Sequence, residues 1–196
     1  MKKVFLILGI IAGALLLLCC GGGVALYYFA DTTTYAKPSD ACATVTGAQG
    51  IAPFGAVKDQ QPKSTNAFGR TYPGCVVTFE TAGTLTVMID VTSSESDVRV
   101  HYDSIKKAAD ASVAAGATVA DVSGIGTKAF AMYTTADKAL LYELDLYHGN
   151  LYISLNITAP AGTTLTPDKV RADFLTMARS MMSSLEETSS GGDLGD

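Results

Sequence analysis

From Val4 to Ala30 no charged residue interrupts the chain, a run of 27 positions. As a helix this run is roughly 40 Å long at about 1.5 Å per residue, and a bilayer's hydrocarbon core needs only about 20 residues. It predicts an N-terminal transmembrane helix within residues 1–30. Lys2 and Lys3 precede the run, and the first charge after it is Asp31. Positive charge stays on the cytoplasmic side, so the N-terminus is expected inside and the remaining chain outside. Tyr27, Tyr28 and Phe29 end the run as an aromatic belt at the outer interface.

Three other readings of this segment are weaker. A cleaved signal peptide has an apolar region of only about 7–15 residues, although Gly23-Val24-Ala25 resembles a cleavage site. A lipoprotein signal needs a small residue before its cysteine, whereas Leu18 precedes Cys19 and Cys19 precedes Cys20. A type IV pilin carries an early Glu in its helix, and the first Glu here is Glu80. The Cys19-Cys20 tandem reads as two small apolar residues, or else as a site of acylation or of a disulfide between chains.

Beyond the run, residues 31–39 read as a linker, 40–187 as one extracytoplasmic domain and 188–196 as a flexible polar tail. Two stretches have helical period. Asp97 to Ala115 places Val98, Tyr102, Ile105, Ala109 and Val113 on one stripe, with Ser94 and Ser96 as available caps and Gly116 as a stop. Pro167 to Leu185 places Val170, Phe174, Met177, Ala178, Met181 and Leu185 on another, with Thr166 as cap and Asp168 in the first turn. A short helical turn is expected over Asp40 to Val45, capped by Ser39.

Strand alternation is clear in three runs. Leu85, Val87, Ile89 and Val91 oppose Thr86, Met88 and Asp90. Leu140, Tyr142, Leu144 and Leu146 oppose Glu143, Asp145 and Tyr147, and Leu151, Ile153, Leu155 and Ile157 oppose Ser154, Asn156 and Thr158. His148-Gly149-Asn150 joins the last two as a hairpin, and Ala82-Gly83-Thr84 joins Val76–Thr81 to Leu85. Val119 to Val122 and Phe130 to Thr134 are further short strands. The expected fold is α+β: an antiparallel sheet with the two helices packed on one face. Residues 47–74, with three Pro, read as irregular.

Composition sharpens the division. Hydrophobic residues make up 48% of the 196 positions, yet charged residues only 17%, against roughly a quarter in ordinary soluble chains. Residues 1–30 hold 23 hydrophobic positions, so the excess is concentrated in one end and the rest is ordinary. A disordered chain, a collagen, a polytopic membrane protein and a cysteine-dense mini-scaffold are excluded. With Lys2 and Lys3 set aside, 12 basic residues face 19 acidic ones. Such an acidic domain lacks the electrostatic footprint of a nucleic-acid binder.

Cys42 and Cys75 fall in the compartment where thiols oxidise, and a pair there usually bridges. The bridge closes a loop of about 34 residues, worth roughly 3–4 kcal/mol in the chain-entropy model. Free, redox-active or metal-bound thiols are the other readings, but a metal needs more ligands than one pair, and His101 and His148 lie far away in sequence.

No nucleophile elbow, zinc-protease motif, Walker loop or dinucleotide fingerprint occurs. Ser104-Ile105-Lys106-Lys107 has the form Ser-x-x-Lys, but its companion motifs are missing, and it reads as a solvated helix face. Gly124-Ile125-Gly126 has no following helix to make a phosphate cradle and reads as a backbone turn. Asp90, Asp137, Glu143 and Asp145 are the candidate paired carboxylates; Glu143 and Asp145, two apart on one strand, share a face. Acid–base work needs them in a cleft with raised pKa values; otherwise they line an exposed sheet face. Asn156-Ile157-Thr158 is a glycosylation sequon.

The layout resembles a family of actinobacterial cell-envelope proteins, often lipoproteins, of unknown function. The matching residues are Cys42 opening a short helix, Cys75 entering a hairpin, Val122-Ser123-Gly124-Ile125-Gly126, and the terminal helix from Pro167. Two features depart from it: Val77 stands where an aromatic tends to follow the second cysteine, and the lipidation signal is missing. The resemblance covers about residues 40–187. It implies a sandwich fold akin to photosystem-subunit and Mog1-like proteins and implies no activity.

These patterns lead to the expectation of a single-pass, membrane-anchored extracytoplasmic binding or accessory module. The membrane partner is residues 4–30, and the ligand is an envelope protein, a lipid or a cell-wall component; no catalysis and no cofactor are expected. A sensor or stalk subunit of a membrane complex is the alternative, and a hydrolase using Asp90, Glu143 and Asp145 a more distant one.

Overall fold

A computed structural model describes residues 33–67, 70–136 and 139–186. The expected membrane helix, the polar tail and Asp137 lie outside the described residues. Among those described, no helix is long and apolar enough to cross a membrane.

The chain runs through α1 (Ala41–Thr46), a 3₁₀ turn (Ala52–Phe54), β1 (Val57–Ala67), β2 (Arg70–Phe79), β3 (Thr84–Val91), α2 (Glu95–Ser112), β4 (Thr118–Val122), β5 (Lys128–Ala136), β6 (Ala139–His148), β7 (Leu151–Ala159) and α3 (Pro167–Leu185). Seven strands form one sheet in the order β1-β2-β3-β7-β6-β5-β4. Every neighbouring pair is antiparallel, so the fold is α+β as expected.

One face of this sheet holds the main core. The register lines up Val87, Leu155, Leu144 and Ala131 across β3, β7, β6 and β5. The six predicted apolar positions of α3 are all buried against this face. Its start follows the local chemistry: Thr166 accepts a hydrogen bond from the Lys169 amide, and Pro167 occupies the first turn, where its missing N–H costs nothing. The short helix α1 joins the same layer. Asp40, not Ser39, caps it by accepting from the amides of Cys42 and Ala43, because its carboxylate reaches two orphan donors at once. Cys42 and Cys75 stand at disulfide distance, with an S–S separation of 1.95 Å.

The expectation that both long helices share a face is corrected. Helix α2 packs on the opposite face, where Val98, Tyr102 and Ala109 meet Phe130, Tyr147 and Tyr152. The reason lies in those aromatics. Tyr147 sits among the positions that alternation assigns to the polar side, yet it is buried, as are Tyr152 and Phe130. Strand β7 shows how far the second layer extends. Its first five residues are buried regardless of parity, and alternation resumes only toward Thr158. Helix α2 therefore covers about half of its face. It ends sooner than its apolar stripe suggests: Val113 falls in a closing 3₁₀ turn and is 51% exposed.

Two further expectations change. The stretch read as irregular contains β1 and the start of β2, a long hairpin paired from Val57↔Phe79 to Ala67↔Arg70. Its outer strand carries Lys58, Pro62 and Lys63, residues that blunt a sheet edge. The linker also shortens, because the chain is packed down from Thr33 onward. Tyr35 is buried and bridges to Glu186. Its amide donates to Asn150 Oδ1, and Asn150 Nδ2 donates back to the Tyr35 carbonyl and to that of Thr92. Gly149 in the adjoining turn has φ +52°, and a Cβ there would collide with the Thr33 carbonyl, so the turn and the incoming chain fit only without a side chain.

Candidate functional site

The second sheet face gathers the chain's buried polar chemistry. Strand register places it. Asp90 pairs with Tyr152, Asp145 with Ser154, and Glu143 with Asn156, on adjacent strands β3, β7 and β6. All of these project to the α2 side, following the two-residue period of the strands. Asp90 and Ser154 are buried, and Asp145 is 0% exposed. Carboxylates sealed in this way are unusual, since desolvating a charge costs several kcal/mol unless it is paired or neutralised.

The bonds among these groups show how that cost is met. The Tyr152 hydroxyl donates a short hydrogen bond to Asp145 Oδ1. Burial pushes the Glu143 carboxyl above the usual carboxylate range, and the neighbouring Asp145 and Asn156 side chains oppose the shift. Asp145 is pushed well above that range, first by burial and then by the charge of Glu143, with the Tyr152 bond opposing. The tyrosines respond in kind: burial raises Tyr102 and Tyr147, and it raises Tyr152 well above its ordinary value, reinforced by the Asp145 carboxylate.

Helix α2 adds His101 to the seam. Its Nδ1 lies 3.8 Å from Asp90 Oδ2. Its ring sits 4.5 Å from that of Tyr152 and 5.0 Å from that of Tyr72. Tyr102, one residue on, meets the Tyr147 ring edge-on at 5.0 Å. Among the described residues no group of three or more His, Cys, Asp or Glu side chains is arranged to hold a metal ion.

The structure thus brings three of the four candidate carboxylates, Asp90, Glu143 and Asp145, onto one face. The exposed sheet face expected for them is corrected: a helix roofs Asp90 and Asp145. The roof also removes them from solvent, so a substrate in bulk water does not reach Asp145. His101, Tyr72, Tyr152, Ser154 and Asn156 join the cluster without having been singled out for it. The signal that could have found them is the aromatic content of the supposedly polar face, since Tyr147 and Tyr152 on a polar stripe mark a second covered layer.

The remaining motifs fall as follows. Ser104 and Lys107 are exposed on α2. Gly124 and Gly126 have positive φ (+81° and +60°) around the buried Ile125, making the expected backbone turn. That turn borders a recess of about 610 Å³ beside α2, lined in part by Tyr102, Lys106 and Asp121. Lys106 does not face this recess as a free cation, because it is bound to Asp110 at 2.6 Å and lies 3.6 Å from Asp121. Asn156 of the sequon lies within β7, half-buried, rather than in a loop.

Comparison with protein-family models, with curated proteins and with solved structures finds no match to this chain.

Proposed function

We propose that this protein is a membrane-anchored, extracytoplasmic binding module of a cell envelope. Residues 4–30 form its single span, with the N-terminus in the cytoplasm. The observation that carries the reading is the Cys42–Cys75 pair at disulfide distance in the domain that follows the uncharged run, since such bonds persist in oxidising compartments. The resemblance of Cys42, Cys75 and the 122–126 turn to actinobacterial envelope proteins supports the same location.

Binding is favoured over catalysis by the sealing of the carboxylates. An acid–base pair must touch its substrate, and Asp145 is enclosed. The surface best suited to a partner is the half of the second sheet face that α2 leaves open. Thr86, Met88, Leu141 and Asn156 are partly exposed there, mixing apolar contact with hydrogen-bonding groups as protein interfaces do.

The test is site-specific photocrosslinking from Met88 and Leu141 in the full chain in native membranes, with Ser104 on the outer side of α2 as the control position. The reading expects one discrete adduct from the two sheet positions and none from Ser104. Identical patterns from all three positions overturn the surface. Labelling of Lys58 by a membrane-impermeant reagent only after lysis overturns the location.

A further inference from the structure

Helix α3 ends where the chain enters the domain. The Ala36 amide donates to the Leu185 carbonyl, and Tyr35 bridges to Glu186. Beside this junction lies a recess of about 350 Å³ that Thr33 also lines. Arg179, Ser183 and Glu186 share its wall. They are spaced i, i+4 and i+7 at the end of α3, which puts them on one stripe. Tyr35, Ile125 and Met182 supply its apolar part.

Arg179 is oriented but not used up. Its guanidinium donates to the Gly124 carbonyl at 3.2 Å, within the turn whose glycines have positive φ. A guanidinium carries five N–H donors, so one bond aims the fork and the others stay available to an anion. Among the described residues Arg179 and Glu186 form no ion pair with each other or with a third group, although both line the recess. It therefore offers a cation, a carboxylate and a hydroxyl beside apolar side chains.

We propose that this recess binds the zwitterionic headgroup of a phospholipid, with Arg179 and Ser183 on its phosphate and Glu186 on its amine. The inference rests on the reading of residues 4–30 as a membrane span. Only Asp31 and Thr32 then separate the uncharged run from Thr33. A chain covers at most about 3.6 Å per residue, so Thr33 stays within roughly 11 Å of Ala30. That reach holds the recess at the level of the headgroups. Charge selects among lipids. Beyond residue 30 the chain has 12 basic and 19 acidic residues, which opposes an anionic surface. A headgroup carrying both charges matches the recess, and a primary amine donates hydrogen bonds to a carboxylate where a quaternary one does not. Phosphatidylethanolamine has that chemistry.

Native mass spectrometry of the full chain in a phosphate-free detergent, titrated with phospholipids, tests the site. Phosphatidylethanolamine should form a one-lipid adduct in preference to phosphatidylcholine. In R179A its affinity should fall about tenfold, the scale of a lost charge-assisted bond. In E186Q the preference for ethanolamine over choline should disappear. S183A leaves the Arg179–Gly124 bond untouched and should weaken the adduct in the same direction, should R179A disturb the turn. Equal affinity in R179A, or no preference in the unaltered chain, overturns the proposal. Displacement of the lipid by an equal concentration of free phosphoethanolamine assigns the recess to a soluble phosphate and overturns the lipid. Flotation with phosphatidylcholine vesicles separates this inference from the one beneath it. A chain that floats without an Arg179-dependent adduct loses this site alone, and a chain that does not float loses the anchor as well.

Discussion

At the scale of single residues, both faces bury polar atoms that find no hydrogen-bond partner among the described residues. On the second face Asp145 Oδ1 accepts from the Tyr152 hydroxyl while Asp145 Oδ2 has no partner. On the first face the Tyr142 hydroxyl is in the same position. Tyr142 is 1% exposed, stacks beside Tyr133 and meets the Phe174 ring edge-on, but its oxygen finds no partner among the described residues. Burial pushes its pKa up to about 12. An unmatched buried hydroxyl costs about 1–3 kcal/mol, so Tyr142→Phe should raise the stability of the domain by roughly 1 kcal/mol, read as a higher denaturant midpoint with unchanged slope. Tyr152→Phe removes the hydrogen bond that favours the ionised Asp145, so the pH at which Asp145 titrates should rise, as carboxyl NMR can follow.

At the scale of elements, legibility tracked whether a segment has one wet side. Helix α3 was readable residue by residue, because its cap, its proline and its six-residue stripe all agree. Strands β3, β6 and β7 were readable on their apolar face for the same reason. The hairpin of β1 and β2 was not, since its outer strand is exposed on both sides of the pleat and carries no alternation at all; backbone pairing, not side-chain pattern, makes it a strand. The side chosen by α2 was missed because period two divides residues into two classes and says nothing about whether the second class is also covered. The staple between α1 and β2 was predictable from compartment and parity. Cys42→Ser with Cys75→Ser should cost roughly 3–4 kcal/mol of stability, measurable by denaturation, and should loosen α1 and residues 47–56 before the sheet.

At the scale of the whole molecule, the raised carboxyls set the pH profile. Between the ordinary carboxylate range and their raised folded values, Glu143 and Asp145 hold protons in the folded state that the unfolded chain has already lost. Folding stability therefore falls as pH rises through that window, opposite to the behaviour of salt-bridged carboxylates. The denaturant midpoint should be higher at pH 5 than at pH 9, and Asp145→Asn should flatten the difference. None of this was visible in the candidate carboxylates as a sequence pattern. Their spacing showed that Glu143 and Asp145 share a face, but not that Tyr152 and a helix would close over them.

The bridge between Tyr35 and Glu186 makes the described domain a closed ring of chain, entered and left at one point. A ring can be opened elsewhere. Joining the two ends there by a short Gly-Ser segment and cutting within the exposed stretch Glu80–Thr81 between β2 and β3 leaves every pairing of the sheet intact. The circularly permuted chain should fold to the same strand order, because the sheet is specified by which strands are neighbours and not by where the polymer starts.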